Sequence, residues 1–114
     1  MEWLNILFAI TTIGLGLIGW LAPRYTLSAL ELETTGGTMG PSEMRASAGA
    51  LFVGMGIGAL TLGTPTAYLM LAACWLGAAV GRLTSIALDG TSPKKNMFFA
   101  IEAAVGLTAL AANL

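Results

Sequence analysis

Residues 64–90 read TPTAYLMLAACWLGAAVGRLTSIALDG. The stretch opens on Thr-Pro, closes on Asp-Gly, and between those ends holds one ionised residue, Arg82. About 20 apolar residues, each rising about 1.5 Å, are enough to cross the hydrocarbon core of a bilayer. Thr64 has the chemistry of an N-cap, and Pro65 suits a first turn because its missing N–H would have no intrahelical partner there. The segment therefore reads as a membrane-spanning helix over residues 65–88.

Three more runs have the same character, at residues 3–22, 42–62 and 94–113. The four prolines, Pro23, Pro41, Pro65 and Pro93, all fall at run edges. Only a few residues around Gly63 join the second and third runs, and the third and fourth are nearly as close, so these neighbours must be antiparallel. One long connection, residues 24–40, separates the first run from the second. In it Tyr25, Leu27, Leu30 and Leu32 allow a short segment to lie on the membrane surface, while Gly36, Gly37 and Gly40 favour a mobile loop. The expected fold is all-α: one integral membrane four-helix bundle over residues 1–114, antiparallel and up-down-up-down, with a longer loop between helices 1 and 2.

Composition agrees. Of the 114 residues, 56% are hydrophobic and 10% charged, and the mean hydropathy is +0.81; soluble domains carry roughly 25% charged residues. A soluble fold of this size could not bury so much apolar surface, so lipid must be the solvent for most of it. A net charge of −1 with no basic run gives no sign of a nucleic-acid partner. Histidine is absent and Cys74 is the single cysteine, which argues against a zinc site, a haem, a redox pair or a histidine-based triad. No cofactor or metal is expected, and Cys74 reads as a small hydrophobe. The N-terminus carries Glu2 and no early Lys or Arg, unlike a secretory signal.

Helices that alternate in direction place Arg24, Arg45, Arg82, Lys94 and Lys95 at or near one side. By the positive-inside rule, loops 1–2 and 3–4 are cytoplasmic and both termini lie outside, in a multi-pass inner-membrane protein. Fifteen glycines call for close helix packing, because burying apolar surface gains little when the solvent is itself apolar. Gly14 with Gly19, Gly49 with Gly56, Gly54 with Gly58, and Gly77 with Gly81 are the expected contact faces. The last two pairs have GxxxG spacing, read as packing within one chain before a subunit interface.

Arg82 lies seven residues before Asp89, and Glu102 lies seven residues after Lys95, so both sit roughly 10 Å in from the same boundary. Glu43 and Arg45 open the second helix on that side. Trp75, Arg82, Ser85 and Asp89 share a face of the third helix at near-heptad spacing, and Glu102, Gly106, Ala109 and Asn113 form a small and polar stripe on the fourth. An ionised group at mid-bilayer costs about 2.5 to 3.5 kcal/mol even on lenient scales, so such residues turn inward and pair. Arg82 is expected to bridge Glu102, with Asp89 or Glu43 as a second partner. Two uses of the layer stay open. It clamps the helices, or it walls a cytoplasm-facing pocket for an anion, a lipid headgroup or a proton.

At these residues the chain resembles a bacterial family of small four-span membrane proteins, domain of unknown function 4345. The likeness is carried by SEMRASAGALFVGMG at the start of the second helix, by GRLTSIALDG, and by FFAIEAAVG in the last helix. It covers about residues 42–106; the first helix adds only generic similarity. It implies a four-helix membrane fold with these polar residues as its hallmark, and no activity. The expected role is a non-enzymatic accessory, assembly or structural protein among membrane lipids, as a homo-oligomer or a subunit of a larger complex. The alternative is a small transporter or lipid- or lipophile-binding protein using the charged layer.

Overall fold

In a computed structural model, which describes residues 2–114, every regular element is helical among the described residues. Helix α1 covers Glu2–Leu21, and α2 covers Pro23–Ala29. Helix α3 covers Met39–Leu62, α4 Pro65–Asp89 and α5 Pro93–Asn113. All but α2 are long and apolar enough to span a membrane. This is a multi-pass membrane protein.

The boundaries follow from local chemistry. The Thr64 hydroxyl accepts from the Ala67 N–H and the Ser92 hydroxyl from the Lys95 N–H, each ahead of a first-turn proline. Gly63 and Gly90 take positive φ, 65° and 88°, at the turns on either side of α4; the missing Cβ makes that conformation inexpensive. Pro23 ends α1 and starts α2, so part of the long connection is a helix rather than a loop. Its last turn closes with Leu32 N–H on the Leu27 carbonyl and Glu31 N–H on the Ser28 carbonyl, a Schellman arrangement. Glu31 occupies the left-handed position at φ 60°, where glycine is usual. Helix α3 begins three residues before the expected Ser42 because Pro41 is accommodated inside its first turn.

The chain falls into two compact units, Ile6–Thr61 and, with the first turn of α1 through Asn5, Leu62–Leu114. In the first unit α1 and α3 run antiparallel. Gly16 faces the Gly49 carbonyl, Gly19 faces the Ala48 carbonyl, and Gly56 faces Ala9 and Ile13. A Cβ on Gly16 would lie 2.7 Å from the Gly49 carbonyl oxygen, and one on Gly49 would lie 2.6 Å from the Trp20 nitrogen. The α3 backbone widens to a π-helix over Ala46–Ala50, at this closest approach. There the Ser47 hydroxyl also donates to the Glu43 carbonyl at 2.6 Å. In the second unit α4 and α5 form an antiparallel hairpin, with Leu76 seated on Gly106. Tyr68, Leu71, Ala72, Trp75, Ala79 and Ala109 are buried.

Of the expected glycine faces, Gly49 with Gly56 does meet α1, as Gly19 meets α3, and the others differ. A Cβ on Gly14, Gly54, Gly58, Gly77 or Gly81 would meet nothing within 4 Å. Both GxxxG pairs therefore face open space in this chain. The reason lies in helical phase: at 100° per residue, Gly54 is turned about 160° away from Gly56, which faces α1. Spacing alone reports that two glycines share a face without saying which face it is.

Gly19→Val should destabilise the protein by about 1 to 3 kcal/mol, the usual cost of overpacking. Gly54→Ala should change stability by less than about 0.5 kcal/mol. Denaturant titration of the purified protein in mild detergent compares the two, and equal losses would refute the assigned α1–α3 contact.

Candidate functional site

The antiparallel register of α4 and α5 brings positions 82 and 102 to the same level of the hairpin. Arg82 Nε donates to Glu102 Oε1 at 3.1 Å, and Arg82 Nη2 donates to Glu102 Oε2 at 3.1 Å. Such parallel pairing satisfies both carboxylate oxygens with one planar fork. Phe98, one turn before Glu102, places its ring centroid 5.3 Å from the guanidinium carbon. Its face adds a cation–π contact to the guanidinium. The Glu102 side chain is 13% exposed and that of Arg82 33%, so the carboxylate is the deeper partner.

Asp89, one of the two expected second partners, accepts instead from the Ser85 hydroxyl at 3.2 Å and is exposed. The turn beyond it is held by its own bonds. Lys95 Nζ donates to the Gly90 carbonyl at 2.8 Å, and the Thr91 hydroxyl donates to Asn96 Oδ1 at 2.6 Å. Trp75 is buried two turns before Arg82, and Cys74 beside it is half-buried and unpaired by any disulfide.

Glu43 and Arg45 belong to the other unit. Glu43 is exposed, and its carbonyl receives the Ser47 hydroxyl. Arg45 Nη1 donates to the Trp20 carbonyl at 2.6 Å. That carbonyl is one of the last four of α1, which lack the usual downstream donors, so a cation there satisfies an orphan acceptor and complements the negative end of the helix dipole. Around this cap lies an open cleft of about 630 Å³, lined by Leu21, Ala22, Pro23, Arg24, Tyr25, Thr38, Pro41, Ser42 and Arg45.

A polar contact at the far end of the hairpin was not anticipated. Asn5 and Asn113 exchange two amide hydrogen bonds, each 2.8 Å, and Asn113 Nδ2 also donates to the Ala109 carbonyl. Asn113 stood in the polar stripe of α5; Asn5 was the lone amide in an apolar run. No pattern within one helix names a partner 108 residues away.

The family model described as Domain of unknown function (DUF4345) matches residues 1–113. The chain belongs to that family. The match takes in α1 as well as the three motif-bearing helices, so this DUF4345 chain is family-like along nearly its whole length. No curated protein and no solved structure matches it.

In this DUF4345 protein, Asn113→Leu should cost roughly 1 kcal/mol, within the range of interhelical hydrogen bonds in lipid. The double variant Asn5→Leu/Asn113→Leu should recover part of the loss, because no unsatisfied amide is left behind. Unfolding titrations of the single and double variants check this, and strictly additive losses would contradict it.

Proposed function

We propose that the protein is a non-enzymatic structural or accessory component of a membrane assembly. In this reading the Arg82–Glu102 pair is a fixed clamp between its last two helices. The observation that carries it is the closed geometry of that pair. Two guanidinium nitrogens and both carboxylate oxygens are committed to each other, and Phe98 covers the guanidinium face. A carboxylate held this way has both oxygens engaged by one partner and is poorly placed to receive a solute. The alternative, a transporter or lipophile carrier built on the charged layer, has less support, since the 630 Å³ cleft is lined by neither Arg82 nor Glu102. A sequence without histidine and with one cysteine also offers little for catalysis.

The setting that fits this role is a bacterial inner membrane, with the α1–α3 connection and the Asp89 turn in the cytoplasm and both termini outside. The small-residue surfaces at Gly54, Gly58, Gly77 and Gly81 point into open space and suit a further helix, from a second copy or from another subunit. No nucleic acid or cofactor enters this reading.

Extraction from native membranes in mild detergent should yield the protein in a stoichiometric complex, homomeric or with other subunits, on size exclusion and native mass spectrometry. Recovery as a monomer would contradict the role, as would an Arg82→Leu variant that accumulates normally but loses a co-purifying small molecule. For orientation, a cysteine at position 37 in a Cys74→Ala background should be blocked from an impermeant maleimide until cells are opened. Immediate labelling in intact cells would reverse the assignment.

A further inference from the structure

The cleft at the cytoplasm-assigned end of α1 and α3 uses none of the clamp residues, and its chemistry points elsewhere. Two cations, Arg24 and Arg45, line it together with the hydroxyls of Thr38 and Ser42, and no acidic side chain does. Arg45 spends Nη1 on the Trp20 carbonyl, which anchors the guanidinium and leaves its remaining N–H groups for another acceptor. Arg24 is exposed and has no hydrogen bond or ion pair among the described residues. Glu31 and Glu33 line, with Arg24, a second depression and are not among the residues of the first cleft. Leu21 and Tyr25, 69% and 66% exposed, supply an apolar rim just where the α1 span ends.

Donors for an anion, anchored at the end of a span and bordered by apolar surface, match a molecule that is half phosphate and half acyl chain. Basic pockets between spans at the cytoplasmic surface hold anionic headgroups in this way. We propose that the Arg24–Arg45 cleft binds the phosphate of an anionic phospholipid, with Thr38 and Ser42 as neutral donors and Leu21 and Tyr25 against the glycerol and upper acyl chains. The site stands apart from the Arg82–Glu102 clamp and holds whether or not the protein is an accessory subunit.

Native mass spectrometry of the full chain, offered phosphatidylglycerol and phosphatidylcholine separately, tests this. Phosphatidylglycerol should be retained roughly fivefold or more over phosphatidylcholine, and Arg24→Gln should lower its retention roughly fivefold, the effect of one basic residue near an anionic surface. Lys94→Gln, which removes a cation outside the cleft, should leave retention unchanged. Arg45→Gln should also weaken binding, but it removes the cap on Trp20, so Arg24→Gln decides. Equal retention of the two lipids, or equal losses in Arg24→Gln and Lys94→Gln, would overturn the proposal. Displacement of the lipid by excess inorganic phosphate would overturn its assignment to a membrane lipid.

Discussion

A guanidinium placed roughly 10 Å inside the end of a lipid-facing helix has little water to solvate it and must find an anion or reach for the boundary. Arg82 does both. Its fork meets both oxygens of Glu102, and its side chain stays one-third exposed. The pair fixes the axial register of α4 against α5, since only one register puts positions 82 and 102 at one level. It also fixes what else can meet: Gly106 reaches Leu76 in the same register. Replacing either ion alone would leave its partner without a counter-charge in a low-dielectric setting, so the two are energetically one element.

The other unit solves the same solvent problem with geometry instead of charge. Between α1 and α3 the gain is close backbone approach, which needs Gly16, Gly19, Gly49 and Gly56. Polar groups in that unit serve the ends of helices. Arg45 closes the C-terminus of α1, and Ser47 bonds back within the widened turn of α3. Large apolar side chains such as Ile10, Leu51, Met70 and Leu107 are exposed, as lipid-facing positions should be. Lipid as solvent thus accounts for the apolar exterior, the glycine content and the scarcity of ions together.

How legible this was from the residues depends on the range of the interaction. The four spans and their caps were plain because hydropathy, proline and the Thr64 and Ser92 caps are local signals. Arg82 with Glu102 was legible too, because two spans joined by a short turn fix depth by counting. Of the glycine faces, Gly49 with Gly56 was legible and the GxxxG pairs misled, since which side of α3 meets α1 depends on the path of residues 22–38, and no periodicity records that path. Asn5 with Asn113, and Arg45 with the Trp20 carbonyl, escaped for the same reason: each joins a side chain to a partner far along the chain. Arg24 reads from the sequence only as a topological charge, although with Arg45 it lines an open cleft of about 630 Å³.

The central claim is that Arg82 and Glu102 stabilise the fold as a unit. The most direct measurement is a double-mutant cycle with Arg82→Leu, Glu102→Leu and the combined variant, read by reversible unfolding in detergent micelles. Each single variant should lose about 1 to 3 kcal/mol, a discount on the 3 to 5 kcal/mol of fully buried pairs because Arg82 is part-exposed. The double should recover much of that loss, giving a coupling above about 1 kcal/mol. Losses that add to within about 0.5 kcal/mol would mean the two ions act independently, and the clamp would not be what orders α4 against α5.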